Sequence, residues 1–182
     1  MKLIETPVNG LLIIEQDVFT DVRGYFVESY NIEKFSKLGI HNHFVQDNES
    51  MSSYGVIRGL HFQAEPYAQA KLVRVIKGKV FDVAVDVRES SPTFGKWFGI
   101  ELDEISKRMF YIPRGFAHGF SVMSETAIFS YKCDNYYHKE SEHGVYYADT
   151  FLNIDWKIPL EKAVVSEKDK ILPPFEKSVH FK

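Results

Sequence analysis

Two short segments carry the side chains best suited to chemistry. The first, GVIRGLHFQ at residues 55–63, sets Arg58 and His61 in a strand-like run with glycines at 55 and 59. A guanidinium gives paired hydrogen bonds to an anionic group, and an imidazole exchanges protons near neutral pH. Glycine inside a strand leaves room for a bulge, or for a ligand lying against the backbone. Side chains alternate along a strand, so Arg58 and His61, three apart, point to opposite faces unless a bulge intervenes. On this segment alone, the plainer reading is a hydrogen-bonded core histidine at His61 and a surface cation at Arg58. The second segment, IPRGFAHGF at residues 112–120, is a proline-glycine turn that runs into a strand carrying His118.

The elements that must hold these residues read as strands. Runs rich in β-branched and aromatic residues fall at 11–18, 25–30, 43–47, 56–62, 71–76, 80–87, 97–102, 108–112, 117–123 and 126–133. Turn chemistry separates them, as at Lys77-Gly78, Ser90-Ser91-Pro92 and Pro113-Arg114-Gly115. In 80–87 the residues Phe81, Val83, Val85 and Val87 share one face and Asp82 and Asp86 the other, so one face packs and the other meets water or a cavity. One early helix is predicted over 32–38, with Asn31 as N-cap and Gly39 as its stop. Prolines at 159, 173 and 174 imply a loop-rich tail with one short helix near 161–168, wrapped around the strands. Aromatics at 15% of the chain suit pleated sheet, and 45% hydrophobic residues in 182 suffice for one core. The expectation is an all-β sandwich or barrel with a few short helices, a single domain over 1–182.

Composition also excludes partners. A net charge of -3 offers no global basic field to nucleic acid or an anionic membrane. The first apolar run, 11–14, is far shorter than a signal h-region or a membrane span, so a soluble protein is expected. Cys133 is the only cysteine, which rules out an intrachain disulfide and is compatible with a reducing cytoplasm.

Residues 112–120 resemble the second motif of the cupin superfamily. Metal-binding cupins place two histidines one apart, with a glutamate downstream; here the pair is His61 and Gln63. An amide oxygen is a poor transition-metal ligand, Glu65 comes too soon, and Lys71 and Lys77 add positive charge, so no metal is expected. A fuller set of motifs, FTDVRGYFVESY, FVQDNES, GVIRGLHFQ, QAKLVRVIKGKVFDVAVDVR, SPTFG, YIPRGFAHGF, YKCDNYYHKESEHG and NIDW, resembles the dTDP-4-dehydrorhamnose 3,5-epimerase family from about residue 6 to residue 169. The resemblance implies a cupin-type jelly roll, usually a homodimer, that needs no metal or coenzyme. Its implied substrate is dTDP-4-dehydro-6-deoxy-D-glucose, inverted at C3 and C5 on the way to dTDP-L-rhamnose. It places the general base on His61, oriented by Asp169, and the opposing acid on Tyr131. Substrate contacts are implied for Arg23, Glu28, Gln46, Asp47, Asn48, Arg58, Lys71, His118, Glu142 and Lys168, with Arg23 and Glu28 supplied by a partner subunit.

That chemistry suits these groups. A C–H beside a ketone is acidic because its anion spreads onto the carbonyl oxygen, and C3 and C5 both flank C4. Histidine, with an ordinary pKa of about 6.5, is a competent base, and a phenol at about 10 can protonate the far face. A carboxylate behind the base fixes its tautomer. Lys71 is the candidate for stabilising the enolate, and Arg23, Arg58 and Lys168 for the diphosphate. The plainer readings are strand packing for Tyr131, a solvated lysine for Lys71 and surface arginines. Phe26, Tyr136 and Tyr137 are candidates for stacking on the base, against core packing. Asp134, His138 and Tyr147-Ala148 depart from the family pattern. The alternatives are an epimerase acting at C3 alone, a sugar-nucleotide-binding cupin without catalysis, and a metal-dependent cupin.

Overall fold

Alternating apolar residues need two surfaces to pack against, and the chain meets that need with two face-to-face sheets, seen in a computed structural model that describes residues 1–181. The elements in chain order are β1 (Lys2–Glu5), β2 (Leu12–Glu15), β3 (Val18–Asp21), β4 (Gly24–Val27), α1 (Ile32–Lys37), β5 (Gln46–Ser53), β6 (Val56–Gln63), β7 (Lys71–Lys77) and β8 (Lys79–Asp86). They continue with β9 (Trp97–Asp103), β10 (Met109–Ile112), β11 (Phe116–Val122), β12 (Thr126–Cys133), β13 (Glu142–Gly144), β14 (Val164–Val165) and α2 (Glu167–Lys170). One sheet runs β1-β2-β10-β7-β12-β5 and the other β13-β6-β11-β8-β9, with β14 lying parallel to β6. This is the expected jelly roll.

Three apolar layers hold it. Between the sheets, Val73 and Val75 of β7 and Phe129 of β12 meet Val80 and Ala84 of β8 and Phe120 of β11. Over the outside of the second sheet, the tail lays Leu152, Ile154, Trp156, Ile158 and Phe175 against Phe81, Val83 and Val85. Over the first sheet, Phe35 of α1 and Ile40 cover Ile14, Leu72 and Met109. Asn31 caps α1 by accepting hydrogen bonds from the N–H groups of Glu33 and Lys34, as expected.

Several expectations need correction. The run 11–18 is broken: β2 ends at Glu15, Asp17 is held by the N-terminal ammonium 2.6 Å away, and β3 leaves to pair with β4 as a separate hairpin. The strand expected at 43–47 begins only at Gln46 and continues to Ser53. Its sequence QDNESMSS has no apolar alternation, because one side lines a cavity and the other meets solvent. β1 was not foreseen. The tail holds a 3-10 turn at Leu160–Lys162, then β14, then the four-residue α2, rather than one helix over 161–168. Finally, neither face of 80–87 meets water: the tail covers the valines, and Asp82 and Asp86 have no exposure. Lys182, the end of the expected domain, lies outside the described residues.

Candidate active site

The cavity opens where β6 and β11 of one sheet face β5, β7 and β12 of the other. A cleft of about 500 Å³ is walled by Arg58, His61, Lys71, His118, Tyr131 and Asp169, among others. A second hollow of about 320 Å³ shares His61, Lys71 and Tyr131 and adds Gln46, Asn48, Gln63, Tyr137 and Glu142. His61 and Tyr131 therefore enter from opposite sheets and line both spaces.

A bulge brings Arg58 and His61 to one side. On β11 the partners His118 and Phe120 are two apart, while their partners on β6, His61 and Arg58, are three apart. The extra residue on β6 restores the parity that simple alternation denied. Gly59 sits in that bulge with φ +119°, its Cα side pressed against the backbone of Gly119 and His118. Only glycine fits so close an approach at positive φ.

Behind His61, Asp169 Oδ1 lies 2.7 Å from Nε2, and Asp169 Oδ2 accepts the Gly59 N–H. Ser166 caps α2 and accepts the Asp169 N–H, so the capped turn fixes the carboxylate. Burial pushes the Asp169 carboxyl up, but the hydrogen bond and charge of His61, with the Gly59 and Ser166 donors, bring it net below the usual range. Tyr131 moves the other way: burial, then the neighbouring Cys133, raises its phenol, and Arg58 only partly offsets this. Burial lowers the Lys71 ammonium, against the pull of Cys133, Asp82 and Glu142. Arg58 donates from Nε to Ser52 Oγ at 3.1 Å.

At the mouth, Lys168 Nζ pairs with Glu142 at 2.6 Å, and the Tyr137 hydroxyl donates to the same carboxylate oxygen at 2.7 Å. Burial raises the Glu142 carboxyl, yet these two donors bring it net down. Gln46 donates to Asn48 Oδ1 and accepts the Tyr137 N–H. Three expected contacts lie elsewhere in this chain. Asp47 faces outward and pairs with Lys132; Arg23 pairs with Asp21 on the exposed hairpin, and Glu28 with Lys34.

Other residues take structural parts. Gln63 donates to the carbonyls of Tyr67 and Tyr136 and accepts the His138 N–H, so its amide is committed to a loop. Asp134 accepts from Asn42, Ala70 and Arg114, and the His138 ring stacks on Tyr67 at 3.8 Å. Tyr147 offers its carbonyl to Trp156. Phe26 and Tyr136 are exposed. Sequence reasoning passed over Asp82, whose carboxylate holds His118, and Ser52 and Ser166. For Asp82 the signal was there: a carboxylate in a strand rich in valine, with alternation that could not say whether its face met water or the interior.

The family model for dTDP-4-dehydrorhamnose 3,5-epimerase matches residues 5–177. A dTDP-4-dehydrorhamnose 3,5-epimerase of Shigella flexneri is 52% identical over 93% of each chain. The crystal structure of such an epimerase from Elizabethkingia anophelis is similar at 59% identity and TM-score 0.93, covering 97% of both chains. A dTDP-6-deoxy-D-glucose-3,5-epimerase from Legionella pneumophila, solved in complex with dTDP-4-keto-L-rhamnose, is 48% identical with TM-score 0.93 over 97% of this chain and 93% of that one.

Proposed function

Since the chain belongs to the dTDP-4-dehydrorhamnose 3,5-epimerase family, we propose that its cleft inverts C3 and C5 of dTDP-4-dehydro-6-deoxy-D-glucose to give dTDP-4-dehydro-L-rhamnose, with His61 as base and Tyr131 as acid. The chain is thus an isomerase, and one observation supports the assignment above others. The imidazole, backed by Asp169 at 2.7 Å, and the phenol reach one cavity from opposite sheets. Inversion needs a proton removed from one face of a carbon and another delivered to the opposite face, and two facing walls supply that arrangement.

His61 takes the proton beside the C4 carbonyl through Nδ1, because Nε2 is turned to Asp169. That carboxylate, ionised at working pH, stabilises the imidazolium that forms. The electrons move onto the carbonyl oxygen, where the Lys71 ammonium meets the developing charge in a space with little water to screen it. The Tyr131 phenol, whose burial keeps it protonated, then donates to the other face. Since one carbonyl activates both neighbours, the same pair serves C3 and C5, and neither step moves electrons to or from a cofactor. Arg58, held by Ser52, and Lys168 supply the cations for the diphosphate.

We also assign the working unit as a homodimer of single-domain chains in the cytoplasm. Arg23 lies outside this chain's own cleft, on a hairpin whose Phe19, Tyr25 and Phe26 are more than half exposed. A second copy would shelter those rings and bring the partner's Arg23 and Glu28 to the cleft. No helix among the described residues is long and apolar enough to cross a membrane.

The test is NMR in D2O with the 4-keto sugar nucleotide. Deuterium entering at both C3 and C5 is the expected result, and exchange at C3 alone would overturn the double inversion. His61→Ala should abolish exchange while dTDP still binds; unchanged turnover would remove His61 from its role.

A further inference from the structure

We propose that Asp82 is a positioning residue: its buried carboxylate fixes His118 as the tautomer protonated at Nε2, so that Nδ1 faces the cleft as a hydrogen-bond acceptor for a hydroxyl of the sugar. The proposal rests on the epimerase reading of the same cleft and adds a residue to it. Asp82 has no exposure and lies on β8, its backbone opposite Phe120, so it stands diagonally beside His118 on the inner face of the sheet. Its two oxygens are both 3.0 Å from His118 Nε2, and the carboxylate makes no other hydrogen bond to a described residue. His118 is itself buried to 7% exposure but lines the cleft. Its Nδ1 makes no hydrogen bond to any described residue, and it is not among the buried side-chain atoms sealed off without a partner. The free nitrogen is therefore the one open to the cavity.

Which nitrogen carries the proton decides what the cleft can read. If Asp82 were a neutral acid, its O–H would point at Nε2, one oxygen would lie closer than the other, and Nδ1 would carry hydrogen into the cleft as a donor. Two equal distances instead fit one N–H shared by both oxygens of an ionised carboxylate. Burial pulls both partners towards neutrality, raising Asp82 and lowering His118. The groups facing this pair from the surrounding strands are Lys71 on β7 and His61 on β6. Lys71, also near Cys133 and Glu142, stands by Asp82 as a cation and favours the carboxylate, while the same ammonium disfavours a second charge on the imidazole. Carboxylate and ammonium balance, and a neutral imidazole adds no further buried charge.

The cleft then divides its polar work. Lys71 donates to the carbonyl oxygen, and His118 accepts from a hydroxyl on the same ring, so the sugar is held by one contact of each kind. Cleft polarity of this sort discriminates strongly, because a sugar lacking the hydroxyl leaves a buried acceptor unmatched.

Long-range proton-nitrogen correlation spectra of the full chain, labelled with 15N-histidine, read the tautomer directly, with His118→Gln identifying the signals. Wild-type His118 should show a protonated Nε2 and a bare Nδ1 at neutral pH. Asp82→Asn removes the charge but keeps the shape, and its amide can offer either an acceptor or a donor. The variant should lose the single tautomer and roughly a hundredfold in kcat, with dTDP binding held within about twofold. A wild-type His118 protonated at Nδ1 overturns the proposal, as does an Asp82→Asn enzyme with wild-type kcat. Should that variant fail to fold, the wild-type spectrum decides alone. Absence of deuterium uptake at C3 and C5 by the wild type would instead strike the epimerase reading, which the His118 spectrum does not depend on.

Discussion

Tyr131 and its strand neighbour Cys133 show how burial tunes chemistry one side chain at a time. Both are raised by desolvation, the thiol to about 11, but with opposite consequences. A phenol held above its ordinary value keeps its proton at neutral pH, which an acid needs. A thiol held that high has almost no thiolate and is inert. Tyr131→Phe should therefore separate the two halves of the reaction. His61 can still remove a proton and return deuterium to the same face, so exchange in D2O persists while inversion falls by about a hundredfold or more. Chiral analysis of the recovered sugar distinguishes the two, and inversion at the wild-type rate would remove Tyr131 as the acid. Cys133 should resist an aromatic disulfide reagent at about pH 8 until the chain is unfolded in denaturant; rapid native labelling would contradict its burial.

The bulge in β6 and the turn after β8 are the elements on which site and stability depend. At the bulge a Cβ on Gly59 would lie 2.6 Å from Gly119 Cα and 2.7 Å from the His118 carbonyl, at φ +119°. Gly59→Ala should lower stability by at least about 2 kcal/mol and cut kcat by more than Tyr131→Phe does, because Arg58 and His61 both shift. Denaturant titration beside an activity assay checks it. At the end of β8, Asp86 has no exposure; burial raises it, but Arg88, Ser91 and Thr93 donate to it and bring it net below the usual range. A depressed carboxyl stabilises the fold above its unfolded value of about 3.9, and that contribution is lost as pH falls through the folded value. Asp86→Asn should cost about 3 kcal/mol at neutral pH, a gap that begins to narrow near about pH 4 and closes only once the pH has fallen through the depressed folded value. A gap independent of pH would refute the ionic account. The same elements mark what was legible in the sequence. Strands built on valine and aromatic alternation, such as β7, β8 and β12, announced themselves, and linked motifs named His61, Tyr131 and Asp169. β5 did not, since a strand lined by Gln46, Asn48 and Ser50 has polar residues on both faces. Nor did the inward turn of Asp82, because period-two patterning gives a side chain's face and not what covers that face. The bulge was legible only as a condition, set by two glycines, under which Arg58 and His61 would meet.

For the whole molecule, the β3–β4 hairpin is the part this chain cannot account for by itself. It pairs with neither main sheet, and none of the three apolar layers includes a described residue from it. An isolated two-stranded ribbon is marginal in water. This one exposes Phe19 at 63%, Tyr25 at 57% and Phe26 at 67%, while its chief tie to the body is Lys107 at the Tyr25 ring and hydroxyl. Such a ribbon gains order only against another surface, and one that carries Arg23 away from its own cleft fits a reciprocal exchange between two copies. On the proposed homodimer, Phe26→Asp places a charge in the contact between copies, so light scattering should find a dimeric wild type and a monomeric variant. Circular dichroism should be unchanged, because the three layers are untouched. Activity should fall chiefly through KM, since His61, Asp169 and Tyr131 stay in place while the contacts lent by the other copy are withdrawn. A wild-type chain that is monomeric and fully active at assay concentration would remove the exchange, and would leave the exposed rings of the hairpin to be matched with some other surface.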